Sequence, residues 1–236
     1  MVLIGTFVNT ITVAVGSSLG LIIGKNIGSK AQTNIVIIFG LFTIAISIGM
    51  MKEMHQPIDI FLSLVIGALI GEYLQLHKKF EKFASRFNFE GEQSIGGAFI
   101  KATMLFCVGG MTLIGCMKEG LDGDYNLIMV KSVMDLISSF FLASALGRGV
   151  LFSALGVLLF QGALTLGFYF VGSADFLFNG ELIMSDELIV DLTATGGVLL
   201  LALGLDLIGL KKFKMLDLVP ALAILPFIHF LHTLVI

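Results

Sequence analysis

Residues 126–147 read NLIMVKSVMDLISSFFLASALG, an apolar stretch that carries Lys131 and Asp135 one helical turn apart. A helix needs about 20 apolar residues to cross the hydrocarbon core of a bilayer, and this stretch is long enough. Charged side chains inside such a helix are costly, and they mark a functional site by default. The stretch therefore predicts a membrane-spanning helix with a candidate site inside the bilayer.

Further stretches of similar length and apolar character fill most of the 236-residue chain. Besides 126–147, the predicted spans are residues 3–23, 34–51, 60–76, 98–117, 150–171, 188–210 and 216–236. Charged residues make up 13% of the chain, against roughly 25% in an ordinary soluble domain. We therefore predict an all-α polytopic membrane helix bundle of about eight transmembrane helices, with residues 1–236 forming a single integral membrane domain.

Basic residues fall unevenly on the two sides that these spans define. One side carries only Lys52 and Lys118 in its loops. The other side carries Lys25, Lys30, Lys78, Lys79, Lys82, Arg86, Arg148, Lys211, Lys212 and Lys214. Because loops rich in Lys and Arg stay in the cytoplasm, the asymmetry predicts that both termini lie outside.

Between the third and fourth spans, residues 78–89 read KKFEKFASRFNF. On a helix, Phe80, Phe83 and Phe87 would share one face, with basic residues around the rest. This pattern predicts an amphipathic segment, at about residues 78–93, that lies in the cytoplasmic membrane interface. A solvated connector is the alternative.

Several polar groups and glycines fall at about the same predicted depth as Asp135, which lies roughly 13 Å below the outer end of its span. This set comprises Asn9, Gly109, Gly110, Gln161, Thr195, Gly196 and Gly197. A shared depth predicts a polar cavity that opens to the outside and is centred on Asp135. The alternatives are that the Lys131 and Asp135 pair only locks helices together, and that Asn9 only joins two helices by a hydrogen bond.

The glycines allow two interpretations. Pairs such as Gly109 with Gly110 could break a helix and free backbone groups that bind ions, or they could be tight crossing points, which we favour for this pair. In the first span, Gly16, Gly20 and Gly24 form GxxxGxxxG, which is typical of a packing seam between membrane helices.

Internal symmetry is a further prediction with two versions. FGLFTIAISIG (39–49) is similar to TGGVLLLALGLDLIG (195–209), and the two segments cross the membrane in opposite directions. This match predicts inverted repeats around a central pair of spans. A rival match pairs VNTITVAVGSSLG (8–20) with MDLISSFFLASALG (134–147), which run in the same direction.

Enzymatic and nucleic-acid-binding motifs are absent from the sequence. It contains no HExxH, GxSxG or P-loop pattern, and topology accounts for its basic residues. His229 and His232 could share a helix face, but no Cys or carboxylate stands at matching spacing. We predict no enzyme, no metal, no cofactor and no nucleic-acid partner, whereas the glycine-rich faces favour a homo-oligomer.

Four segments together resemble the landmarks of a bacterial family: FCVGGMTLIG (106–115), KSVMDLISSFFLASALGRGV (131–150), FQG (160–162) and GGVLLLALGLDLIG (196–209). The family is domain-of-unknown-function family 554, exemplified by YdfK and YqgA. The similarity runs nearly end to end and includes Asn9 and the IGALIGEYL around Glu72, although Asp206 stands where many relatives carry asparagine. The resemblance implies a multi-pass protein of the bacterial cytoplasmic membrane and brings no activity with it.

Two functional hypotheses follow from these residues. In the first, the chain is a small-solute or ion transporter or channel in which Asp135, Lys131, Asn9 and Gln161 line the cavity and Asp135 carries the coupling ion or proton. In the second, it is a non-transporting membrane scaffold or accessory subunit whose intramembrane polar residues serve helix packing.

Overall fold

The computed structural model describes residues 2–24, 28–52, 54–84, 95–108, 110–178 and 186–235. Within these ranges the regular structure is entirely helical. The helices are α1 (Ile4–Gly24), α2 (Ser29–Met51), α3 (Pro57–Leu74), α4 (Leu76–Ala84), α5 (Ile95–Cys107), α6 (Gly110–Asp122), α7 (Asn126–Leu146), α8 (Gly149–Phe178), α9 (Asp186–Leu207), α10 (Met215–Leu218) and α11 (Pro220–Val235). The predicted all-α membrane helix bundle is confirmed.

Each predicted span corresponds to a helix or to a pair of helices. Seven described helices are long and apolar enough to cross a membrane, and α5 with α6 makes an eighth candidate. The last span is interrupted near Pro220, which begins α11 directly after α10. Proline has no backbone N–H, so the helical hydrogen-bond ladder is interrupted at this residue.

The chain divides into two compact units. Unit 1 comprises Met1–Val36 and Asn88–Ile183, and unit 2 comprises Ile37–Phe87 and Met184–Ile236. Unit 1 therefore holds α1, α5, α6, α7, α8 and the start of α2, whereas unit 2 holds the remaining helices. The division does not test the prediction of a single integral membrane domain.

In unit 1, α1 and α7 run parallel along the glycine seam that the sequence predicts. A Cβ atom placed on Gly16 would lie 2.3 Å from the Leu136 carbonyl oxygen, and one on Gly20 would lie 2.1 Å from the Phe140 carbonyl oxygen. No side chain fits at such distances, so these positions require glycine. The packing seam is confirmed, and α7 is its partner.

The pair α5 and α6 forms a bent span beside α8. The two helices are inclined by 60°, α5 ends at Cys107 and α6 begins at Gly110, and Gly109 lies outside the described residues. Near the start of both α5 and α8, Gly149 packs against Ile95; farther along, Gly120 of α6 packs against Thr165 of α8. From the first contact to the second, the residue numbers increase both along α5 and α6 and along α8. The helices α5 and α6 therefore run in the same direction as α8. The pair therefore advances as one broken span, which favours eight crossings.

The break bears on the two interpretations of Gly109 and Gly110. Gly110 begins α6, and the Thr112 hydroxyl donates a hydrogen bond to the Phe106 carbonyl at 2.9 Å. A carbonyl freed by a helix break inside a membrane needs such a partner. The start of α6 at Gly110 agrees with the helix-breaking interpretation, and the tight crossing at this pair stays a prediction.

In unit 2, α3 runs antiparallel to α10 and α11 over another glycine seam. A Cβ atom on Gly67 would lie 2.5 Å from the Ala221 nitrogen, and one on Gly71 would lie 2.0 Å from the Asp217 carbonyl oxygen. As in unit 1, small residues let two backbones approach closely where no hydrophobic drive between helices exists.

Two sequence predictions reach beyond what the described residues test. The amphipathic segment at about 78–93 is described only through α4, which ends at Ala84, and its place in the interface stays a prediction. The inverted repeats are neither confirmed nor contradicted.

Candidate functional site

Asp135 lies at the centre of a hydrogen-bonded cluster inside unit 1. The Lys131 ammonium donates to Asp135 Oδ2 from one turn earlier on α7. Asn9 of α1 donates through Nδ2 to the same oxygen at 3.0 Å and to Oε1 of Gln161 on α8 at 3.0 Å. Four of the predicted site residues, from three helices, are therefore brought together.

Each member of this cluster is buried. Asn9 and Gln161 are fully buried, and Lys131 and Asp135 are 5% and 6% exposed. Lys131 thus pairs within the helix bundle and does not extend to the outer surface. Burying two charges carries a desolvation penalty that only a close pair with further hydrogen bonds repays, and Asn9 supplies such a bond.

The glycine seam between α1 and α7 explains why Asn9 reaches Asp135. The seam holds the two backbones close from Gly16 onward, and Asn9 lies about two turns before it on the same helix face. Thr12 fixes the local backbone by donating to the Asn9 carbonyl at 2.8 Å. The four-residue spacing on α7 therefore places Lys131 beside Asp135, and the close packing of α1 against α7 brings Asn9 to this pair.

The predicted site residues on α9 belong to the other unit. Thr195, Gly196 and Gly197 are buried within a helix that runs unbroken from Asp186 to Leu207, so this glycine pair does not break its helix. The Thr195 hydroxyl bonds to the Asp191 carbonyl one turn earlier at 2.8 Å. A Cβ atom on Gly197 would lie 2.9 Å from Met51 Cγ, so Gly197 is a contact point with α2. Their membership of an Asp135 site stays a prediction.

Glu119 is a buried carboxylate that the sequence analysis did not recognise. It is fully buried in α6, and it accepts hydrogen bonds from the Gly5 backbone nitrogen at 2.6 Å and from the Thr6 hydroxyl at 3.4 Å. A carboxylate at a helix N-terminus pairs with free N–H groups and with the helix dipole. The span predicted from the sequence ends at residue 117, whereas α6 continues to Asp122, so Glu119 lies within the helix.

Unit 2 contains two further buried carboxylates that sequence reasoning missed. Asp191 is fully buried and accepts hydrogen bonds from the backbone nitrogens of His55 at 2.7 Å and Gln56 at 3.1 Å, just before α3. Asp59 is 4% exposed, and its Oδ2 lies 2.9 Å from Nδ1 of His232. Asp191 therefore binds backbone N–H groups at the start of α3, and Asp59 forms a second ionisable pair.

Metal ligands do not cluster in the described parts of the chain. No group of three or more His, Cys, Asp or Glu side chains there is placed to hold a metal ion. Cys107 and Cys116 are buried free thiols, and they lie on the separate helices α5 and α6 instead of on one helix.

A cavity of about 390 Å³ lies in unit 1 at the far end of α1 and α7 from Asn9. Its lining includes Gly24, Gln32, Ser144 and Arg148. The charge-based topology predicts that this end is cytoplasmic. It is therefore not the predicted outward-opening cavity at Asp135, which stays a prediction.

Comparisons with known proteins agree with the resemblance seen in the sequence. Residues 4–230 match the family model described as "Protein of unknown function (DUF554)". The chain is 31% identical over 230 residues to the "Uncharacterized membrane protein YdfK" of Bacillus subtilis, covering 96% of this chain and 95% of the relative. It is 29% identical over 227 residues to the "Uncharacterized protein YqgA" of Escherichia coli, covering 93% of each chain.

No solved structure matches the chain. The family match extends over nearly all of the sequence and includes every member of the Asp135 cluster. With its helices long and apolar enough to span a bilayer, the chain is a membrane protein that belongs to the DUF554 family.

Proposed function

We propose that the chain is a small-solute or ion transporter or channel of the bacterial cytoplasmic membrane, with Asp135 as the coupling carboxylate. One observation carries the proposal: Lys131, Asp135, Asn9 and Gln161 meet as one hydrogen-bonded cluster from three membrane helices. Ionisable residues inside membrane helices are rare, and they concentrate on ion pathways and proton relays.

The neighbourhood of the cluster supports this function. Transporters often place their binding sites beside interrupted helices, whose free backbone groups and altered packing make room for a ligand. The interrupted span of α5 and α6 is such a neighbour, because Cys116 of α6 lies 3.6 Å from the Gln161 carbonyl oxygen. A span that is already broken can shift at its bend without losing further backbone hydrogen bonds.

The proposal requires a conformational change. Asp135 is 6% exposed in this conformation, so a solute or proton from outside reaches it only when the helices around it separate. The close glycine contacts between α1 and α7 resist such separation. We therefore assign the opening motion to the α6 and α8 side of the cluster, with access from the predicted outer surface. The proposal assigns no catalytic step to the chain.

Reconstituted flux tests the proposal. Purified protein in proteoliposomes should support proton-coupled or substrate-driven flux of at least one member of a panel of small solutes and ions, and Asp135→Asn should abolish that flux. Asp122→Asn, at the exposed end of α6, is the matched control and should transport normally. Unchanged flux in Asp135→Asn would remove Asp135 from the mechanism, and no flux with any solute of a broad panel would count against the whole class.

A second candidate function, a membrane scaffold or accessory subunit, has its own supporting observation. Glu119 and Asp191 are also buried carboxylates, and both bind helix N-termini, which is a structural task. If Asp135 serves packing alone, Asp135→Asn should lower the thermal stability of the protein without changing the binding of any ligand.

A further inference from the structure

Two buried polar groups on α8 lack a strong hydrogen-bonding partner. Gln161 Nε2 and Thr165 Oγ1 lie one turn apart, both residues are fully buried, and neither atom has a partner within the described residues that meets hydrogen-bond geometry. Thr165 Oγ1 faces the thiol of Cys116, which is only a weak acceptor. A buried amide or hydroxyl without a partner costs about 1–3 kcal/mol, so this pair calls for an explanation.

The ion pair fixes which end of the Gln161 amide faces the gap. Asp135 is a carboxylate paired with Lys131, so Asn9 must present its amide nitrogen to it. The same nitrogen then donates to Oε1 of Gln161. The Gln161 Nε2 group, which is a donor only, is left pointing away from the cluster.

Unfilled space lies at Gly162, the residue that follows this donor on α8. Gly162 is buried, yet a Cβ atom placed on it would have one heavy-atom neighbour within 4 Å, Thr6 Cγ2 at 3.8 Å. By contrast, a Cβ atom on Gly16 or Gly20 of the seam would overlap backbone atoms. Small residues therefore serve close packing at the seam and leave a small gap, with room for a methyl group, between Thr6 of α1 and Gly162 of α8.

We propose that this gap, lined by Thr6, Gln161, Gly162 and Thr165, binds an uncharged ligand through an oxygen atom that accepts a hydrogen bond from Gln161 Nε2. A buried water needs about one probe sphere of space and two to four polar partners, and Gln161 Nε2 and Thr165 Oγ1 supply two. A water molecule or the oxygen of a small neutral solute, such as urea or glycerol, meets this requirement.

The charges around the gap explain why the ligand is uncharged. Lys131 neutralises Asp135, and the α1 N-terminus is paired with Glu119. A bare cation would face the Nε2 donor directly, and an anion would lie near two carboxylates. The site is inferred from the packing at Gly162 and from the unpartnered polar atoms of Gln161 and Thr165. Only its assignment to a transport path rests on the proposed function.

The test is water contact at the Gln161 side-chain amide. The full chain, deuterated and labelled with ¹⁵N, is placed in lipid nanodiscs, and magnetisation transfer from bulk water to the Nε2 protons is recorded by NMR. Gln161→Met assigns the signal. We expect transfer in the wild type and its loss in Gly162→Ala, because the new methyl group fills the gap at ordinary contact distance.

Controls keep the result interpretable. Gly167→Ala, on the same helix and with no heavy atom within 4 Å of the added carbon, should leave the transfer unchanged. Thr165→Val, which removes a polar partner and keeps the side-chain shape, replaces Gly162→Ala if that variant fails to fold, and it should weaken the transfer. A visible amide without transfer in the wild type, or transfer unchanged in Gly162→Ala, would overturn the site.

Added solutes identify the occupant. If urea or glycerol binds, it removes the water transfer and shifts the Gln161 amide resonance; if water alone binds, both signals stay as they are. Either result supports the site. The NMR measurement needs no flux, so it can confirm the site even if the transport proposal fails. Flux can likewise confirm transport even if this site is absent.

Discussion

At the scale of single residues, buried carboxylates in this protein are matched to donors. Asp135 receives Lys131 and Asn9, Glu119 receives the α1 N-terminus, and Asp191 receives the α3 N-terminus. A buried charge without a partner is far more costly than the net gain from the pair. The loss of stability caused by a substitution should therefore depend on whether the remaining partner still has a group with which it can form a hydrogen bond or an ion pair.

The Lys131 and Asp135 pair should show strong coupling. Lys131→Met or Asp135→Asn alone leaves one buried partner uncompensated, and each should lower the free energy of unfolding by about 3–5 kcal/mol. The double variant removes both charges and should lose much less than the sum. A double-mutant cycle on denaturant unfolding in detergent measures the coupling; additive losses would show that the two charges do not depend on each other.

Glu119 should behave as a helix cap. Glu119→Leu leaves the Gly5 N–H without an acceptor and should cost about 1–3 kcal/mol, whereas Glu119→Gln keeps an acceptor oxygen and should cost less. Thermal unfolding of both variants, with exposed Asp122→Asn as the control, tests the ranking. Equal losses in the Leu and Gln variants would assign the effect to charge or shape instead of to the hydrogen bond.

At the scale of helices, glycine spacing determines which helices approach most closely. The seam of α1 contacts carbonyl groups of α7, and Gly67 and Gly71 of α3 contact α11 and α10. The α1 seam is therefore occupied within the chain and lends no support to the predicted homo-oligomer. That assembly stays a proposal, to be tested by the mass of the protein in detergent.

Replacing Gly20 should separate α1 from α7. Gly20→Ala places a methyl group 2.1 Å from the Phe140 carbonyl oxygen, and overpacking of this kind costs about 1–3 kcal/mol or more. Gly49→Ala, where no heavy atom lies within 4 Å, should be neutral or slightly stabilising because alanine favours the helix. Thermal unfolding of both variants decides; equal stability would mean that α1 and α7 are not in close contact.

At the scale of the whole molecule, the direction of each span follows from contacts within its unit. In unit 1, α5 and α6 advance together beside α8, which makes eight crossings the consistent count. An even count returns the chain to the side on which it began. The distribution of basic residues predicts that this side is the outside of the cell.

Single engineered cysteines test this orientation. Cys107 and Cys116 are buried, so a membrane-impermeant maleimide should give little background. Asp122→Cys, at an exposed position on the predicted outer side, should be labelled in intact cells. Lys212→Cys, exposed on the predicted inner side, should react only after permeabilisation. The opposite pattern would invert the topology, and labelling of both in intact cells would rule out the alternating arrangement.

The sequence by itself determined the class of protein, the spans and the pairing of Lys131 with Asp135. These depend on local properties: apolar length sets a span, and a spacing of four residues puts two side chains on one helix face. The seam at Gly16, Gly20 and Gly24 was also visible, because close packing requires small residues.

Only the tertiary structure decided what those elements meet. It brought Asn9 and Gln161 to Asp135, put Thr195 and Gly197 in the other unit, and buried Glu119 against the start of α1. A glycine lacks a side chain equally at a helix break and at a gap, so the sequence alone did not assign Gly110 and Gly162. The difference depends on which atoms of another helix lie opposite each glycine, and packing between distant segments sets that.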